Sequence, residues 1–204
     1  MNNKIETGYN LDLYSQIDIF CRIIMENKIL NELFTRAPSL GLKDYYIGAG
    51  CLAQTIWNYL SGFPLNHGIQ DLDLVYFNEK EVSFNEEDKV VSKVHQLYKD
   101  IPIKIDVKNQ ARVHLWYERH FGYTIEPYPT LEAAINTWPT TATALGARRE
   151  SSGKWVVYAP FGLNDLFGKI VRANKAQITQ EIYEKKVLKW SAIWIDLKII
   201  PWEE

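Results

Sequence analysis

Two aspartates one residue apart, Asp71 and Asp73, interrupt an otherwise apolar run, Ile69-Gln70-Asp71-Leu72-Asp73-Leu74-Val75-Tyr76-Phe77. Read as a strand, the run puts both aspartates on one face and Leu72 and Leu74 on the other. Their Cα atoms then lie roughly 6.5–7 Å apart, at about 3.3 Å of rise per residue. Two carboxylates side by side over a core repel each other and lose hydration. A hard divalent cation relieves both costs, so the pair reads as a site for Mg²⁺ or Mn²⁺. A third carboxylate follows in Ile101-Pro102-Ile103-Lys104-Ile105-Asp106-Val107. Here the isoleucines share one face, and Lys104, Asp106 and Lys108 share the other. If this segment pairs with the first, Asp106 joins Asp71 and Asp73 on one polar surface.

Upstream, the apolar Tyr45-Tyr46-Ile47 runs into Gly48-Ala49-Gly50, and helical spacing resumes from Cys51 to Leu60. A small-residue turn between a strand and a helix exposes backbone N–H groups at a helix N-terminus, where phosphate is favoured. A tight turn that merely needs glycine has the same pattern. Lys104 and Lys108 flank Asp106 and either contact phosphate or balance the carboxylates. Alternation sends Arg148 and Arg149 to opposite faces of a later strand, so one of them, assigned as Arg148, reaches the cleft. Lys169 and Arg172 fall three apart on an expected helix and read as solvated. The four histidines have no zinc-ligand spacing, and no Ser or Cys nucleophile pairs with them.

The elements that must position these groups are legible from periodicity. Residues 11–37 form an amphipathic helical region broken near Asn27. Asn85 reads as the N-cap of a helix ending near 99, and a further helix spans 110–120. Pro127 and Pro129 mark a change of character. The expected organisation is a core over 1–126 and an extension over 127–204 packed on it as one compact unit. The extension holds a short helix (131–137), a hairpin (142–149 and 154–158) and helices over 163–173 and 178–195.

A strand, glycine turn and helix, then Asp-x-Asp on a second strand and a lone Asp on a third, resembles the DNA polymerase β superfamily of nucleotidyltransferases. Asn109-Gln110-Ala111-Arg112-Val113-His114, Trp138-Pro139-Thr140-Thr141-Ala142-Thr143 and Ala159-Pro160-Phe161-Gly162-Leu163-Asn164-Asp165-Leu166-Phe167 are similar to a bacterial family with that fold. The resemblance implies an α+β minimal nucleotidyltransferase fold, a mixed sheet with helices packed on it plus a C-terminal hairpin and helices. It implies a nucleoside triphosphate substrate and two divalent metals held by Asp71, Asp73 and Asp106. Gly48, Ala49, Gly50, Lys104 and Arg148 would bind the nucleotide. In two places the chain departs from the pattern. The superfamily often has a serine in the glycine turn, where this chain has Cys51, and the narrower family often has Arg-Asn, where this chain has Ala53-Gln54.

Composition narrows the classes. The 204 residues carry a net charge of −2, which speaks against a global field drawing the chain onto nucleic acid, although a local basic cleft stays open. The polar start, Met1 to Glu6, lacks the apolar run of a signal peptide, and no window approaches the roughly 18 apolar residues of a membrane span. Cys21 and Cys51 fit no disulfide or metal spacing, so reduced thiols and a cytoplasmic location are expected. The expected activity is transfer of a nucleoside monophosphate to an acceptor the residues do not name, with release of pyrophosphate. A nucleotide-binding pseudoenzyme or regulatory module with the same fold is the competing reading. An interaction protein using the Trp190, Trp194 and Trp202 face is a third.

Overall fold

The computed structural model describes residues 7–204, and the polar start discussed above lies outside them. Two helices open the fold, α1 (Leu13–Glu26) and α2 (Lys28–Arg36). Asn27 is the joint between them. Its side chain accepts from the Ile29 and Leu30 N–H groups as the N-cap of α2, and its Nδ2 donates to Thr55 Oγ1 at 3.0 Å. The helical region therefore breaks where the sequence places the break, because Asn caps better than it continues. Strand β1 (Tyr45–Gly48) leads into α3 (Gly50–Ser61), then β2 (Asp71–Tyr76), α4 (Phe84–Leu97) and β3 (Lys104–Asn109). After α5 (His114–Phe121) and α6 (Leu131–Ile135) come strands β4 (Gly146–Arg149) and β5 (Trp155–Tyr158). The chain closes with α7 (Asn164–Phe167), β6 (Ile170–Val171), α8 (Gln180–Ser191) and β7 (Lys198–Ile199).

Five strands form one mixed sheet in the order β3-β2-β1-β4-β5. β2 and β3 are parallel, with α4 as the crossover, and the remaining pairs are antiparallel. This is the α+β arrangement expected from the sequence. Period-two alternation divides the sheet cleanly. Tyr45, Ile47, Leu72, Leu74, Tyr76, Ile105, Val107 and Ala147 point to one side and build the main core with the first four helices. Tyr46 and Val75 point to the other side, where Leu131 and Ile135 of α6 cover them in a smaller cluster. α3 is buried nearly all round, from Cys51 to Asn58, so the helix that follows the glycine turn is the spine of the core. The hairpin of β4 and β5 extends the same sheet, because β4 pairs directly with β1.

Several boundaries differ from the sequence reading, each for a local reason. Ser83, not Asn85, caps α4, its side chain accepting from the Glu86 N–H at 3.3 Å. The strand bearing Asp106 begins at Lys104 rather than Ile101. The helix expected over 163–173 stops at Phe167. Gly168 there lies against the Tyr9 ring, where a Cβ would come within 2.7 Å, and Lys169 takes φ +52°. The chain then turns into β6. Lys169 and Arg172 therefore share no helix face, and each has an acidic partner, Asp196 and Asp165 respectively.

Candidate active site

Strand register builds the site. β2 and β3 pair Asp73 with Asp106 and Asp71 with Lys104, and β1 pairs Gly48 with Asp73. Partners in register share a face, so Asp71, Asp73, Asp106, Lys104, Lys108 and Gly48 all lie on the side of the sheet opposite the main core. Asp71 is exposed, while Asp73 and Asp106 are partly buried. Burial pushes the Asp73 carboxyl up, Asp71 and then Asp106 push it further, and its pKa reaches about 7.

Asp106 is engaged differently from the other two. Its Oδ1 lies 3.3 Å from Lys108 Nζ and 3.8 Å from Lys104 Nζ. Among the described residues, no three His, Cys, Asp or Glu side chains converge closely enough to hold an ion. The three aspartates share a face, and Asp106 is the one of them paired with lysine. The donor chemistry nevertheless suits a hard dication. All the available ligands are carboxylate oxygens, and the Asp71 and Asp73 carboxylates make no hydrogen bond or direct ion pair among the described residues. Like charges this close favour any cation that enters.

The glycine turn closes the same corner. Ala49 is a non-glycine residue at φ +54°, ψ −129°, a conformation that L side chains resist. Its N–H donates to Leu145 O at 3.0 Å, so that donor is spent on the chain just before β4 and not on a ligand. The N–H groups of Gly50 and Cys51 remain, at an α3 terminus with no side-chain cap. Cys51 does not stand in for the serine of the superfamily. Its side chain is fully buried, Sγ donates to Gly48 O at 3.3 Å, and burial raises its pKa. The Gln54 amide takes the position over the turn, since a Cβ on Gly50 would lie 3.0 Å from its Nε2.

Gly48 is constrained by packing. A Cβ there would come 2.7 Å from the Trp138 ring and 3.1 Å from Leu145 O. Gly48→Ala is expected to lose about 1–3 kcal/mol of stability, the usual cost of overpacking. Urea unfolding measures it, and a loss under about 0.5 kcal/mol, the range of an ordinary surface change, would show that Trp138 yields freely.

Arg148 lies on the carboxylate side of the sheet, with Cζ 5.0 Å from the Tyr46 ring centroid. It stands one strand beyond Gly48 and does not touch the aspartates. Arg149 faces the opposite side, where its Nε donates to Gly153 O at 3.4 Å. Two residues at this corner went unassigned in the sequence reading. Trp138, which walls the turn, follows from no periodicity. Lys186 on α8 interacts electrostatically with Asp73 and, more weakly, Asp71. It falls three residues after the buried Tyr183 and four before the buried Trp190. That spacing, a lysine on an apolar stripe, was the available signal.

A family model described as nucleotidyltransferase matches residues 35–199. The chain belongs to the nucleotidyltransferase family. A solution NMR structure described as revealing a CCA-adding enzyme head domain superposes with a TM-score of 0.72 at 24% identity, covering 98% of each chain. At that identity the likeness speaks for the fold. A tRNA-processing enzyme in its apo form gives a TM-score of 0.43 at 14% identity, covering 85% of this chain and 44% of that one, too distant to carry an argument. No curated protein matches by sequence. In this nucleotidyltransferase-family chain, the other motifs of the family resemblance have structural partners. Asn109 receives and donates hydrogen bonds around the turn at Asn78, Arg112 pairs with Glu87, and Thr141 Oγ1 donates to Asp165 Oδ2 at 2.6 Å. Among the described residues no helix is long and apolar enough to cross a membrane.

Proposed function

We propose that the protein is a metal-dependent nucleotidyltransferase that moves a nucleoside monophosphate from a nucleoside triphosphate to an acceptor, releasing pyrophosphate. The observation that carries this reading is the register of β1, β2 and β3, which aligns the glycine turn, Asp73 and Asp106 across adjacent strands. Asp71 and Asp73 would hold Mg²⁺ or Mn²⁺, with Asp106 joining once its carboxylate leaves Lys108. When bound, the metal supplies neutralisation of the triphosphate and acidification of the attacking hydroxyl.

The chain's own groups do the rest. The Gly50 and Cys51 N–H groups and the Gln54 amide donate to phosphate oxygens. Lys104 adds positive charge beside the site, and Arg148, seated on Tyr46, forms the rim on the far side of β1. Asp106 accepts the proton of the acceptor hydroxyl. The acceptor oxygen bonds to the α-phosphorus, the bond from that phosphorus to the bridging oxygen breaks, and the electron pair leaves with pyrophosphate.

The departures at Ala53 and Cys51 favour one competing reading, a module that binds nucleotide without turnover. A panel of α-³²P nucleoside triphosphates with Mg²⁺, offered to small hydroxylated compounds, protein and RNA, separates the two. Label transferred to an acceptor with stoichiometric pyrophosphate supports the enzyme. Saturable Mg²⁺-nucleotide binding with no pyrophosphate from any acceptor supports the module.

A further inference from the structure

Lys186 sits where a folded protein seldom spends an ammonium. Tyr183, Lys186 and Trp190 follow one another at helical spacing, and the two aromatics are buried, so all three lie on the inward face of α8. The Lys186 ammonium rests over the Trp190 ring, with Nζ 5.6 Å from the centroid. Trp190 is held edge-on against Trp57 of α3 at 5.5 Å, and Trp194 contacts the same ring at 5.5 Å. Trp194 Nε1 also donates to Asn58 Oδ1 at 2.8 Å. The α8 helix is thus clamped to α3, whose first residues form the glycine turn, and the clamp fixes Lys186 relative to that turn.

The lysine makes no direct ion pair and no hydrogen bond among the described residues. It interacts with Asp73 and, more weakly, Asp71 through space without touching either, unlike Lys108, which closes on Asp106 at 3.3 Å. A lysine serving only as counter-charge to the acidic pair would close to contact, because contact recovers the hydration it has lost. One held back on an aromatic ring is set for a ligand that enters between it and the carboxylates.

We propose that Lys186, held on α8, binds the β- and γ-phosphate oxygens of the nucleotide. This assignment rests on the nucleotidyl-transfer reading above. Its chemistry follows from that reaction, because the leaving pyrophosphate gains negative charge as the bond to the α-phosphorus breaks. A fixed, partly desolvated ammonium beside it stabilises that charge more than a solvated one would.

The test is calorimetric binding of Mg²⁺-tripolyphosphate, Mg²⁺-ATP and AMP to the wild type, Lys186→Met and Lys186→Arg. Methionine keeps the length and apolar stem, and arginine keeps the charge. Lys186→Met is expected to weaken tripolyphosphate and ATP on the order of tenfold to a hundredfold, with AMP changed less than about twofold and Lys186→Arg retaining most of the affinity, as for loss of one charge-assisted contact. Equal weakening of all three ligands, or of none, while the wild type binds ATP overturns the assignment and leaves the nucleotidyl-transfer reading standing. A wild type that binds neither tripolyphosphate nor ATP overturns both. Where Lys186→Met fails to fold, Lys186→Gln takes its place as the charge-removing variant. Loss of triphosphate affinity with AMP little changed then upholds the assignment, and no loss, or a loss shared with AMP, overturns it.

Discussion

Asp73→Asn is expected to keep the fold and to lose Mg²⁺-dependent nucleotide binding and any transfer activity. The loss should exceed the roughly 10–100-fold that changes to outer-shell partners of a metal produce. The side chain keeps its size but gives up the charge a hard dication needs. The metal-free protein should respond in the opposite sense. The Asp73 pKa reaches about 7 in the folded state, pushed up by burial and by Asp71 and Asp106, from an ordinary value of 3.8. Between those values the folded chain holds a proton that the unfolded chain has released. Stability without metal therefore falls as pH rises through that window and levels off above about 7. Asparagine removes the slope. Thermal unfolding of both proteins from pH 4 to 8, with and without Mg²⁺ and nucleotide, reads both effects. Wild-type-like Mg²⁺-nucleotide affinity in the variant would make Asp73 a structural strand residue and remove the main support for metal-dependent transfer.

Arg112→Met is expected to cost about 3–5 kcal/mol, the range for stripping one partner from a buried ion pair. Glu87 and Arg112 are both nearly inaccessible, with side chains 10% and 11% exposed, and the pair is in direct contact. Arg112 also donates Nε to Val82 O at 3.1 Å, and Glu87 Oε1 accepts from the Asn109 N–H at 2.8 Å. Losing the guanidinium leaves a buried carboxylate at the end of β3, the strand that carries Asp106. At about 2–4 °C per kcal/mol for a chain of this size, the melting temperature should fall on the order of 10 °C. Glu87→Gln in the same protein should recover part of the loss, because the orphaned charge is then gone. A single variant within about 1 kcal/mol of wild type, the level of an exposed pair, would mean that water reaches the site.

The parts of the fold carried by short-range pattern were legible in the sequence. Asp-x-Asp between leucines fixed which face of β2 is polar, and Asn27 marked the break between α1 and α2. The parts set by distant neighbours were not. The helix expected over 163–173 ends where Lys169 takes φ +52°, beside Gly168, which packs against Tyr9 more than 150 residues earlier in the chain. Trp138 packs against Gly48 from a distant segment, and Lys186 acts on Asp73 through space from α8. The family motif at 109–112 anchors the end of β3. Composition and spacing cannot tell an anchor from a ligand set, since both require polar groups in fixed places.

The sheet order has a bearing on how the chain matures during synthesis. β1 lies between β2 and β4, yet β4 follows it by some hundred residues. At about 5–20 residues per second, Tyr45-Tyr46-Ile47 waits on the order of 5–20 s on the ribosome with one edge unpaired. The bond from Ala49 N–H to Leu145 O waits equally long. The strained turn beside the aspartates therefore takes its final shape only when the hairpin docks. A nascent chain carrying all three aspartates still lacks a set phosphate turn, and competence for nucleotide arrives late, together with closure of the aggregation-prone edge.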